Sequence, residues 1–177
     1  MKICRLIAAS SIFLALPALS AVAGTTDLPT LKNGQWEMST TTSAAPGTPR
    51  KSTICLDAST QKAMFDMGSG MQKEMCPKFD LRREGSRWIT DAECHLGAST
   101  VRSHAVMTMQ GDTAYRTEAT ATYDPPLVKD VRESKTVVEA KYVGACRDGL
   151  TPGDIQLPNG QRVNLRQMPS APPPNVK

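Results

Sequence analysis

Phe79-Asp80-Leu81-Arg82-Arg83-Glu84-Gly85-Ser86-Arg87-Trp88-Ile89-Thr90-Asp91-Ala92-Glu93-Cys94 decides the fold. Two alternating runs flank Gly85-Ser86, a pair with the chemistry of a two-residue hairpin turn. Folding the chain back across it sets Arg83 opposite Trp88, Leu81 opposite Thr90 and Phe79 opposite Ala92. The apolar set then falls mostly on one face, with Asp91 and Glu93 on the other beside Arg82. That is the pattern of a half-buried antiparallel pair.

The next pair tests the loop length. Between Thr100–Gln110 and Ala114–Tyr123, a two-residue Gly111-Asp112 loop would oppose Met107 to Arg116 and Ala105 to Glu118. A three-residue Gly111-Asp112-Thr113 loop instead pairs Met109 with Tyr115, Ala105 with Ala119 and Val101 with Tyr123. Only the second separates apolar from polar residues, so it sets the expected register.

Further out, Gly34–Thr42 reads as a Thr-rich strand carrying Trp36, and Lys51–Leu56 as a short strand. Asp57 is placed to cap a helix over Ala58–Met67, with Gly68 as its stop and Gly68-Ser69-Gly70 as a break; Met71–Met75 adds one turn before Cys76-Pro77. Asp124-Pro125-Pro126 ends the preceding strand, and Lys135–Cys146 forms the last long one. Pro152-Gly153-Asp154 and Pro158-Asn159-Gly160 are turn sequences with a short hairpin expected between them. The expected fold is mainly β: an antiparallel meander forming a curved sheet or open barrel, with one short α-helix packed on it.

Residues 1–23 read as a signal peptide rather than structure. Lys2 and Arg5 precede an apolar stretch from Leu6 to Leu19, and Ala21-Val22-Ala23 supplies a small-x-small cleavage signal before Gly24. The stretch is short for a bilayer span, which needs about 20 residues. A single β-rich domain over 24–168 is expected, followed by a proline-rich, disordered tail at 169–177. Loss of Lys2 and Arg5 lowers the net charge from +4 to about +2. Charges of both signs are interspersed, without the basic, aromatic-interleaved stripe of a nucleic-acid binder.

Cleavage leaves Cys55, Cys76, Cys94 and Cys146, an even count that reads as two disulfides in the periplasm, where thiols oxidise. Four cysteines allow three pairings, and sequence alone does not choose among them. Alternation puts Cys94 on the face of Trp88 and Cys146 on that of Ala140 and Tyr142, while Cys55 and Cys76 flank the helix. The expectation from this patterning is Cys55–Cys76 and Cys94–Cys146. No C-x-x-C pair suggests zinc.

Gly34-x-Trp36-Glu37, Cys55-Leu56, Cys76, Trp88 with Cys94, Gly111-Asp112 before Tyr115, Gly144-x-Cys146, Pro152-Gly153-Asp154 and Pro158-Asn159-Gly160 together resemble an exported proteobacterial family known as domain of unknown function 3617. The resemblance spans about Leu31 to Met168. It implies a small periplasmic β-rich domain with two disulfides, and it brings no catalytic residues.

For chemistry, only two histidines occur, His95 and His104, and no Gly-rich phosphate loop or dinucleotide fingerprint is present. Both histidines read as surface residues, and Asp91 with Glu93 as a solvated charge set. No catalytic apparatus is visible, so neither an enzyme nor a cofactor is expected. The expected function is a non-catalytic envelope module that binds an envelope protein or a small apolar ligand. Candidate lining for such a ligand is Trp36, Trp88, Met107, Met109, Tyr115, Tyr123 and Tyr142. The alternative is soft-metal handling by Met64, Met67, Met71 and Met75, whose spacing would place four thioethers on one stripe of an unbroken helix. Against it, the expected break at Gly68 and the habit of methionine to fill a buried face favour a core role.

Overall fold

A computed structural model describes residues 28–127 and 130–167. The expected signal peptide and the proline-rich tail lie outside the described residues. The elements run β1 (Gly34–Thr42), β2 (Arg50–Leu56), α1 (Ala58–Met75), β3 (Lys78–Glu84), β4 (Arg87–Leu96), β5 (Ser99–Gln110), β6 (Ala114–Asp124), β7 (Glu133–Gly144), β8 (Asp154–Gln156) and β9 (Arg162–Asn164), then a 3-10 turn at Leu165–Gln167. The strands form one open, curved antiparallel sheet in the order β3-β4-β5-β6-β7-β1-β2-β8-β9. The fold is mainly β with one helix, as expected.

Both hairpin registers hold. Arg83 faces Trp88, Leu81 faces Thr90 and Phe79 faces Ala92. The three-residue loop sets Met109 against Tyr115, Ala105 against Ala119 and Val101 against Tyr123. The meander is not continuous along the chain, however. The β1–β2 hairpin docks on β7, leaving α1 to carry the chain from β2 to the far edge at β3. The terminal hairpin turns about Pro158-Asn159-Gly160, so only its first strand lies between the two turn sequences.

The densest packing lies at the end of the sheet that holds β1, β2 and β7. Trp36, Ile54, Leu56 and Ala140 are buried together, with Leu31, Met38, Tyr115, Tyr142, Ile155 and Leu165 against them. Trp36 lies 5.9 Å from the Tyr115 ring and 6.2 Å from the Tyr142 ring, and its Nε1 donates to the Lys32 carbonyl at 2.8 Å. The indole therefore buries its bulk without orphaning its N–H.

The helix does not stop at Gly68. It runs unbroken to Met75, with Asp57 as the expected N-cap and the Cys76 N–H donating to the Gln72 carbonyl. A glycine within a helix costs only about 1 kcal/mol relative to alanine, which anchors at both ends outweigh here. At the start, the Asp57 carboxylate accepts from the Thr60 N–H at 2.7 Å, the Thr60 hydroxyl at 2.6 Å and Arg166 at 3.1 Å. The Gln61 amide clips both backbone groups of Leu31. At the finish, Cys76 is bonded to Cys94.

The disulfides are Cys55–Cys146 and Cys76–Cys94, which corrects the expected pairing. Strand order is the reason. Gln35 on β1 faces Cys55 on one side and Gly144 on the other, bringing Cys146 to a Cα separation of 5.6 Å from Cys55. A register shift beside Gln35 and the positive φ of Gly144 interrupt the alternation that had assigned Cys146 to the face of Tyr142. Cys94, on β4, lies three strand spacings from β7, about 14 Å. It instead meets the chain as it returns from α1.

Candidate functional site

Alternation along β3–β6 turns Phe79, Leu81, Trp88, Thr90, Ala105, Met107 and Thr117 to one face, and α1 lies over it. The helix does not close down on these residues. Between them is a groove of about 400 Å³, roofed by Gly68, Ser69 and Gln72 and bounded at one end by Leu28 and Pro29. A Cβ added at Gly68 meets no atom within 4 Å, so the space beside the helix there is open. Part of the floor carries small side chains, at Thr90, Ala105 and Thr117. Large side chains stand at the margins, where Trp88 is 8% exposed and Phe79 is 42% exposed. Such a hollow accepts a slender apolar group and offers hardly any hydrogen bonds to a polar one.

Of the expected lining, the structure brings Trp88 and Met107 into this groove. Met109 is buried, and with Trp88, Pro29 and Thr30 it borders a smaller hollow. Trp36, Tyr115 and Tyr142 belong to the core cluster, where burial raises the Tyr115 pKa. Tyr123 is tied by its hydroxyl to Ser134 at 2.7 Å. Phe79, Leu81 and Ala105 were missed as lining, although their register signals them: each faces a residue on the side of Trp88. Leu28, Pro29 and Gly68 carried no such signal.

The opposite face is charged. Asp91 accepts from Arg82 at 2.6 Å and lies 2.6 Å from His104 Nδ1, and the arginine foremost, then the histidine, holds its pKa down. Lys78 at 3.1 Å and Arg102 at 2.8 Å do the same for Glu93. Both histidines are exposed, as expected. A second hollow, beside β1, β2 and β7, mixes Glu37, Lys51, Glu139 and Lys141 with Met38, Ala140 and Leu157, and is far more polar than the groove. Among the described residues, no group of three or more His, Cys, Asp or Glu side chains is arranged to hold a metal. No helix among them is long and apolar enough to cross a membrane.

The methionines of α1 are placed otherwise than expected. Met64, Met67 and Met71 are 40%, 36% and 41% exposed, so they do not fill the core. Helical phase explains this: Gln61, Gly68 and Gln72 turn toward the sheet, and the methionines stand on the flank about a quarter-turn away.

No curated protein and no solved structure matches the chain. The family described as "Protein of unknown function (DUF3617)" matches residues 31–146, and the chain belongs to that family.

Proposed function

We propose that the protein is an exported, non-catalytic binding module of the periplasm that holds the acyl chain of a lipid-like ligand beneath α1. The groove carries this reading: its size falls within the usual range of ligand sites, roughly 300–1,000 Å³, and its walls are overwhelmingly apolar. An unfilled apolar hollow of this kind forfeits packing that a close-fitting core would gain. Export is supported by the N-terminal sequence pattern and by four paired cysteines, which persist in oxidising compartments.

Gly68→Leu provides the test. The new side chain enters open space, and leucine favours helix over glycine by several tenths of a kcal/mol, so folding is preserved. The wild-type protein should give saturable fluorescence with N-phenyl-1-naphthylamine, reversed by added palmitate. The variant should lose most of that signal while melting at the same temperature or higher. Equal dye binding by the two proteins, or no saturable binding by either, rules the groove out as the site.

A further inference from the structure

Four of the nine methionines fall within twelve residues of α1, at 64, 67, 71 and 75. The helix is continuous through Gly68-Ser69-Gly70, so their spacings of three, four and four align them along one flank. Three of them are more than a third exposed. Core packing therefore does not account for them, and the interruption that would have scattered them is absent. Thr60, one turn before Met64, shares this side of the helix and is buried; beyond it the stripe runs through Met64, Met67, Met71 and Met75. The exposed aromatic of the helix, Phe65, lies off the stripe, toward residues 28–33. An apolar contact surface could be built from leucine, isoleucine or phenylalanine. A run of thioethers adds two properties those residues lack, an unbranched flexible side chain and a soft sulfur donor, and both serve a metal.

We propose that this stripe is a Cu(I) site, with Met67 and Met71 as its central pair and Met64 as a third ligand. Residues three and four apart on a helix have Cβ atoms about 5–6 Å apart, and unbranched methionine side chains can lean together over that distance. Cu(I) prefers thioether and thiolate sulfur to oxygen. The four described cysteines are occupied in disulfides and offer no thiolate to compete. Of the two histidines, His104 is engaged with Asp91 on the charged face, and strand alternation turns His95 to that same face, away from Cys94. The site is independent of the groove, because its ligands stand on the flank of α1 rather than on its underside.

The test is an anaerobic Cu(I) titration of the oxidised protein against bicinchoninate, after a thiol assay confirms that no free sulfhydryl is present. One equivalent should bind with a Kd below micromolar. Met67→Leu/Met71→Leu, which conserves volume and apolarity, should weaken binding at least tenfold without altering the circular dichroism spectrum. A thioether has no proton to lose, so affinity should be flat between pH 5 and 8, where a histidine site would weaken on acidification. Binding weaker than micromolar, an unchanged affinity in the double variant, or a steep fall toward pH 5 would each overturn the proposal. Palmitate should leave copper binding unchanged, and Met67→Leu/Met71→Leu, outside the groove lining, should leave dye binding unchanged, which separates the failure of one site from that of the other.

Discussion

Removing the two disulfides one at a time should destabilise the domain unequally, and the order follows from the loops they close. Cys55–Cys146 spans a separation of 91 residues and Cys76–Cys94 one of 18. In the chain-entropy model the lost constraint on the unfolded chain is about 4.6 kcal/mol for the longer loop and about 3.2 kcal/mol for the shorter at 25 °C. At about 3 °C per kcal/mol for a domain of this size, Cys55→Ala/Cys146→Ala should melt about 14 °C below wild type and Cys76→Ala/Cys94→Ala about 10 °C below. Cys55 is fully buried, so its truncation adds a small packing loss in the same direction. Scanning calorimetry gives the two shifts. Tryptic digestion without reductant checks the pairing itself: residues 52–62 should travel with 142–147, and 74–78 with 88–102. A larger loss from Cys76→Ala/Cys94→Ala, or a linked peptide joining 52–62 to 74–78, would refute the reasoning.

Two further perturbations test the local physics. The Asp57 pKa lies well below the usual carboxylate range because the Thr60 hydroxyl and N–H, then Ser59 and Arg166, all donate to it. A depressed folded-state pKa gives stability that is full above the unfolded value near 3.9 and is lost as pH falls through the folded one. Wild type should therefore lose stability faster than Asp57→Asn below about pH 4, as read by thermal melts from pH 5 to 2; parallel curves would show that the cap contributes no linkage. At Gly34, φ is +135° and an added Cβ would lie 2.3 Å from the Gly144 carbonyl oxygen, whereas at Gly144, with φ +129°, it would meet nothing within 4 Å. Gly34→Ala should cost about 3 kcal/mol or more in urea unfolding, and Gly144→Ala only the backbone strain of about 1–2 kcal/mol; equal losses would contradict the close approach of β1 and β7.

What could be read before the structure was whatever short turns and alternation determine. Gly85-Ser86 and Gly111-Asp112-Thr113 each set a register, because one residue of slip would have turned Trp88 or Tyr115 to the wrong face. Placing β1 against β7 was not legible in the same way. That contact joins residues about a hundred positions apart, and neither strand carries a local mark of its neighbour. The mistaken disulfides followed directly, since pairing depends on strand order. The end of α1 was misread because glycine is a stop only where the chain needs a positive φ, and neither Gly68 nor Gly70 has one. The groove was half legible. Alternation put Phe79, Leu81 and Trp88 on one face, but of the floor only Trp88 and Met107 were read as lining, and its roof and open space come from how far α1 stands off the sheet.

Ile155 and Leu165 pack on the Trp36 cluster, and Arg166 reaches back to the cap of α1, yet all three lie beyond Cys146, where the family match ends. The segment that marks kinship is thus shorter than the segment that completes the architecture. Excising the chain at that boundary would uncover Ile54 on β2, strip β2 of its outer neighbour and remove the Arg166 contact from the cap of α1, leaving Gln61 and the Cys76–Cys94 bond to hold the helix. For this chain, ancestry is written in about 116 residues and cohesion in some twenty more.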